Sequence, residues 1–226
     1  IDHSQPGKIR EIIGDDKASV IFTAPTFQTG VFLDPSGTTD LTISGLTVVS
    51  YEYGIRTVTS ACTGLIVTDC IFDDNGVDGY TVPADEDGGA IRVHGSDCLI
   101  EDVEAMNGER GIRFGNSFAA AMDNNIIRNC QSHNNEQYGV YFAGANVASM
   151  NNNLVEGCEV YENDDFGVQF RLQTAGSMVN PIIRGCTVYD NNWSGIVVNG
   201  GYGGFIEDNT VYGNSQSWIN PTGGNN

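Results

Sequence analysis

Along the chain, runs of a few residues alternate apolar and polar positions, and each run ends at Gly, Asn or Asp. No segment carries a helical apolar period over the length of a helix, so the alternation predicts short strands with one buried face, separated by tight turns. The runs repeat. Arg110-Gly-Ile-Arg-Phe114, Tyr138-Gly-Val-Tyr-Phe142 and Phe166-Gly-Val-Gln-Phe170 put glycines at 111, 139 and 167, and Ser194-Gly-Ile-Val-Val198 puts the next at 195, a period of 28 residues. A second column, Cys130, Cys158 and Cys186, keeps the same phase within similar phrases such as Val155-Glu-Gly-Cys-Glu-Val-Tyr161. Weaker copies lie at Gly30-Val-Phe-Leu33, Gly54-Ile-Arg-Thr57, Ala90-Ile-Arg-Val93 and Phe205-Ile-Glu-Asp-Asn209, so seven or eight turns of one unit fill the chain.

Several strands in a unit too short for a propeller blade predict an all-β parallel β-helix, a solenoid of about seven or eight coils. At a rung spacing of about 4.8 Å the cylinder is roughly 35 Å long. The chain reads as one β-helix domain over residues 1–226, complete or part of a longer protein. In Gly-Val-x-Phe the Val and Phe point inward and x faces solvent. The Cys column then stacks inside as small buried thiols, while Cys62 and Cys98 lie outside it and are open to pairing, which leaves the redox compartment undecided. Asn75, Asn107, Asn135, Asn163, Asn191 and Asn214 recur at turns and predict a ladder of amides bonded to neighbouring coils. Glu101, Arg128, Glu156, Arg184 and Glu207 alternate in sign on an outer face, where neighbours neutralise one another.

Charge changes the picture at one place. Ten Lys and Arg stand against 29 Asp and Glu, a formal net charge of −19, which argues against nucleic acid and anionic membranes as partners. No apolar run is long enough to span a bilayer, and Ile1 is followed by no charged-then-apolar leader. Against that acidic background the outward position x runs Phe32, Arg56, Arg92, Arg113, Tyr141, Gln169, Val197, so three of eight arginines stack on successive rungs. Stacked like charges repel, and an anion gripped by guanidinium groups supplies the reason to keep them. His94 and Arg171 follow two residues further along the same strands. The long connections after these strands, from Gly115, Ala143 and Arg171, place walls beside the stripe. The acidic segment with Asp78, Asp85, Glu86 and Asp87, near Asp73 and Asp74, offers the oxygen ligands that Ca²⁺ takes, although its spacing matches no calcium loop and a solvated acidic loop explains it as well. Trp193, within the sequon Asn192-Trp-Ser194, reads equally as a sugar-stacking platform or a cap on the coil edge.

These repeats, with Ile9-Arg-Glu-Ile-Ile-Gly14 and Asp40-Leu-Thr-Ile-Ser-Gly-Leu-Thr-Val48, resemble the right-handed parallel β-helix of the pectin-lyase-like superfamily. Asp73-Asp-Asn-Gly-Val-Asp-Gly79 and the Tyr-x-Asn-x-x-x-Gly-Val phrasing look most like the catalytic modules of mannuronan C5-epimerases. Where those modules carry Tyr-Gly-Phe-Asp-Pro-His-Glu, this chain has Tyr53-Gly-Ile-Arg-Thr57, so the catalytic Asp and His of that family have no counterpart here. The resemblance implies a secreted or cell-surface protein whose partner is a polysaccharide. Joined to the arginine stripe, it suggests an enzyme acting on an acidic, uronate-containing polysaccharide by β-elimination or C5-epimerisation. Arg92 and Arg113 with Gln169 would hold the carboxylate, Arg56 and Arg171 would flank it, His94 would be the base and Tyr141 the proton donor. The alternative is a non-catalytic glycan-binding, adhesin-like, tail-fibre-like or scaffold β-helix, which the same fold supports.

Overall fold

The computed structural model describes residues 11–15, 17, 20–76, 88–115, 120–144, 147–172 and 176–222, with the backbone alone for 24–30 and 217–222. All strand pairings in it are parallel, and they stack into a parallel β-helix with three faces. The first face is an eight-stranded sheet running from Glu11–Ile13 through Thr42–Ser44, Ile66–Thr68 and Leu99–Glu101 to Phe205–Glu207. The strand Thr47–Arg56 passes through a corner, pairing with Ile71–Asp73 by its first half and with Gly89–Val93 by its second. The second and third faces therefore count as one sheet of 14 strands.

The turns explain the abundance of Asn, Asp and Gly. Each coil bends at residues with left-handed φ, which L side chains other than Asn and Asp adopt at a cost. Asp69, Asp102 and Asn129 take φ of 52–53°, with Gly157 and Gly185 at 62° next in the same column. A second corner stacks Asp74, Asn107, Asn134, Glu162 and Asp190, and a third stacks Asp97, Asn124, Asn152 and Asn180.

Inside, like stacks on like. Phe114, Phe142 and Phe170 stack at 5.0 and 4.4 Å between ring centres. Met122, Met150 and Met178 form another buried column on the long connections, which are held in register by bridges from Ala121 to Ser149 and on to Ser177. The cysteine column extends to Cys70, with Val103 on the intervening rung, and all six cysteines are buried thiols. Cys62 and Cys98, outside the column, meet each other with sulfurs 4.0 Å apart.

The amide ladder is present with one change. Asn75, Asn135, Asn163, Asn191 and Asn214 are buried and bonded rung to rung, but the rung of Asn107 is filled by Gly108, whose N–H donates to Asn135 Oδ1. Asn107 instead occupies the left-handed position one residue earlier. Phe32 also falls outside the column proposed for it, because Leu33 takes the place opposite Ile55.

The alternating charges on the first face pair as expected, Arg128 Nε to Glu101 Oε1 and Arg184 Nε to Glu156 Oε1, each at 2.7 Å. These groups are partly exposed. A double-mutant cycle on Glu101 and Arg128, read by urea denaturation, is expected to give a small coupling that fades with added salt. A coupling several times larger would show that the pair organises the sheet.

Candidate functional site

The third face carries the arginine stripe. Its register pairs Arg56 with Arg92, Arg92 with Arg113, Arg113 with Tyr141, Tyr141 with Gln169 and Gln169 with Val197. Their neighbours in the strands, Ile91, Ile112, Val140 and Val168, lie in the core, so the column points out of the coil as alternation requires. It does not lie open to solvent, however. Arg92 and Tyr141 are 4% exposed and Gln169 2%, because long side chains on rungs this close cover one another.

Two aromatic rings organise the charge. Tyr53 is buried, with the Arg56 guanidinium 4.5 Å from its ring centre and Arg92 Nη1 donating to its hydroxyl at 2.9 Å. Burial raises the Tyr53 pKa although both arginines pull it down. Tyr141 lies with its ring 5.3 Å from the Arg113 guanidinium and 4.5 Å from the ring of Tyr138. Tyr138 is itself 5.9 Å from the Arg110 guanidinium.

Arg110, Gln137 and Glu109 form the rim of the stripe. Arg110 donates through Nε and Nη2 to Gln137 Oε1 at 2.8 and 2.6 Å, and Gln137 Nε2 donates to Glu109 Oε1 at 2.9 Å. Arg113 has no such network. Its Nε is buried without a hydrogen-bond partner among the described residues, as is Gln169 Oε1 two rungs away. Burial, then Arg92, then Arg110, push the Arg113 pKa down to about 10. It remains a cation at neutral pH, but a disfavoured one.

The remaining residues singled out by sequence are more scattered. His94 follows Arg92 and is only 1% exposed, its backbone N–H bonded to Thr57 Oγ1 and its carbonyl to Cys62 N. Arg171 is exposed at the end of Val168–Leu172 and pairs with Ala143, which places it three rungs, about 14 Å, from His94. The acidic residues Asp78, Asp85, Glu86 and Asp87 lie outside the described residues. Among the described residues, no group of three or more His, Cys, Asp or Glu side chains is placed to hold a metal.

Sequence reasoning passed over Tyr53, Glu109, Arg110, Gln137, Tyr138 and Asp165. The signal was available: the residue before each repeat glycine runs Tyr53, Arg110, Tyr138 and Phe166. A two-residue alternation does not place these residues, but the corner there brings Arg110 to Tyr138 and Tyr138 to Tyr141 of the stripe.

No curated protein matches the chain. Solved structures resemble it, two of them as follows. The periplasmic alginate epimerase AlgG is 18% identical, with a TM-score of 0.54 over 76% of this chain and 34% of that one. The Azotobacter vinelandii mannuronan C-5 epimerase AlgE6 A-module is 15% identical, with a TM-score of 0.60 over 93% of this chain and 62% of that one. At such identities the likeness is one of fold, and this chain spans about a third of the first protein and less than two thirds of the second. The family described as the right handed beta helix region matches residues 20–155 and again 94–226, which together take in every coil that carries the stripe. With the parallel coils and their stacked core columns, this match establishes that the chain belongs to the right-handed β-helix family.

Proposed function

We propose that this protein acts on an acidic, uronate-containing polysaccharide, by β-elimination or C5-epimerisation, along the column Arg92, Arg113, Tyr141 and Gln169. The observation that carries this reading is Arg113, a partly buried cation whose Nε is buried without a hydrogen-bond partner and which has no ion pair among the described residues, pushed toward neutrality first by burial and then by Arg92 and Arg110. A buried charge without a partner is costly, and a ligand carboxylate would supply the missing acceptor for its Nε. Gln169 Oε1 would accept from a sugar hydroxyl two rungs on.

Both reactions begin with removal of the C5 proton, which leaves the electron pair delocalised onto the carboxylate held by Arg113 and Arg92. In β-elimination the C4–O bond then breaks and the departing oxygen takes a proton. In epimerisation C5 is reprotonated on its other face. Tyr141, beside Arg113, is the proposed proton donor and His94 the proposed base, with Arg56 and Arg171 toward the ends of the face. A polysaccharide of this kind lies outside the cytoplasm, so we place the protein in a secreted or cell-surface setting. The two alginate-directed structures that share the fold support a carbohydrate substrate.

The burial of His94 favours a second reading, a glycan-binding β-helix without catalysis. One experiment separates them: incubation with polymannuronate and polygalacturonate in D₂O. Ultraviolet absorbance of an unsaturated uronate marks elimination, and deuterium at C5 without chain cleavage marks epimerisation. Retention of either glycan with neither product leaves the binding reading, and no retention at all removes both.

A further inference from the structure

A second column runs beside the stripe, two residues before each repeat glycine. Backbone bonds fix it: Gln137 N to Glu109 O at 2.8 Å, Asp165 N to Gln137 O and Trp193 N to Asp165 O, both at 3.1 Å. Its two ends differ in chemistry. At the N-terminal end Glu109 and Gln137 are tied into the Arg110 network. At the C-terminal end the half-buried Asp165 carboxyl makes no hydrogen bond or ion pair among the described residues, and burial raises its pKa against the pull of Arg110. Next to it Trp193 is 49% exposed.

Trp193 is held in place without being buried. Phe166 meets it at 88° with ring centres 5.1 Å apart, and Phe166 in turn stacks on Tyr138 at 5.9 Å and 7°. An aromatic run thus leads from the ring beside Tyr141 to an indole standing in solvent. A propped indole beside a carboxyl that has no partner among the described residues matches the two sides of a pyranose: an apolar C–H face for the ring, and hydroxyls at its edge for the carboxyl. The Trp193 coil also carries Val197, three rungs beyond Arg113 along the register, roughly 14 Å. That distance calls for a chain of several sugars.

We infer that Trp193 and Asp165 form a distal subsite for the same glycan chain, Trp193 stacking on a pyranose ring and Asp165 bonding its hydroxyls, so that the chain runs along the helix axis from Arg113 toward the C-terminal coils. This inference rests on the function proposed above and adds a direction and a minimum length to it. A sugar pair seated at Arg113 does not reach Trp193, whereas a hexamer does.

The test compares mannuronate dimers and hexamers by calorimetric titration against the wild type, Trp193→Ala and Trp193→Phe. The expected result is a hexamer affinity about tenfold weaker in Trp193→Ala, largely recovered in Trp193→Phe, with dimer affinity unchanged throughout. Hexamer binding at full strength in Trp193→Ala, or an equal loss for dimer and hexamer, overturns the subsite while leaving the proposed function in place. Absence of binding to either probe in the wild type overturns both. Because Trp193 is half exposed, Trp193→Ala should keep its fold, and an unchanged far-ultraviolet circular dichroism spectrum verifies it.

Discussion

Arg113→Gln is expected to weaken binding of acidic oligosaccharides about a hundredfold while leaving the protein as stable as before, or more so. The two effects have one cause. Removing a buried, charge-assisted contact to an anion costs a few kcal/mol of affinity, and each 1.4 kcal/mol is about a factor of ten. For stability the sign is opposite to that of an ordinary ion pair. The folded-state pKa of Arg113 lies below its unfolded value, at about 10, so the native state binds its proton less readily than the unfolded chain does. That penalty is present in full below pH about 10 and is relieved only as the pH rises through the folded and toward the unfolded value. At neutral pH the variant is freed of it, a gain of about 1 kcal/mol once solvent screening of a partly exposed group is allowed for.

Thermal melting with and without hexamannuronate reads both effects. The ligand should raise the melting temperature of the wild type by mass action and leave that of Arg113→Gln unmoved, while the unliganded variant melts at or above the wild type. Arg113→Lys, which keeps the charge but loses the fork, should recover only part of the binding. A marked loss of stability in Arg113→Gln would make the arginine a structural strut and remove the observation on which the proposed function stands.

The coils were legible in the sequence because their information is repeated. Each inward position is reported several times at one spacing, so a single ambiguous strand such as Val140–Gly144 is settled by its neighbours. Columns blurred where the spacing changes: Asn107 sat one residue away from the ladder because its coil places Gly108 there, and Phe32 was misplaced by the register shifts in Ile21–Leu33. The site was legible in membership and less so in environment. Alternation gives the direction of Arg92, Arg113, Tyr141 and Gln169, but it carries no information on what lies over them. The burial of Tyr141 comes from neighbouring long side chains lying against it, Arg113 and Tyr138 among them, an arrangement that a two-residue period does not describe. Arg110 shows the same limit, since its side chain joins the site through a bend in the backbone that a two-residue period does not describe.

The largest effect on stability is expected at Asn163, whose amide joins three coils. Its Oδ1 accepts from the backbone N–H of Asn135 at 3.2 Å and from Asn135 Nδ2 at 2.9 Å. Its Nδ2 donates to the carbonyls of Ser132 and Tyr161, each at 3.1 Å, and to Asn191 Oδ1 at 2.9 Å. All of these bonds but the part-buried one to Tyr161 are buried, so water does not replace what a mutation removes. Asn163→Leu leaves several of those groups without partners at once, at about 1–3 kcal/mol for each that finds no other. A total loss of about 3–5 kcal/mol is expected, since part of the network can relax. Asn152→Gly is the matched control: an exposed amide ladder at a φ of 55° that glycine adopts freely, with an expected change within about 0.5 kcal/mol. The loss at Asn163 should reach the site as well, because its Nδ2 lies 2.9 Å from where a Cβ on Gly139 would sit, and Gly139 opens the strand carrying Tyr141. Near its own transition Asn163→Leu should therefore bind acidic oligosaccharide more weakly, and recover affinity in a stabilising osmolyte that does nothing for Arg113→Gln. Equal urea midpoints for Asn163→Leu and Asn152→Gly would show instead that the coils are held by their stacked apolar columns alone.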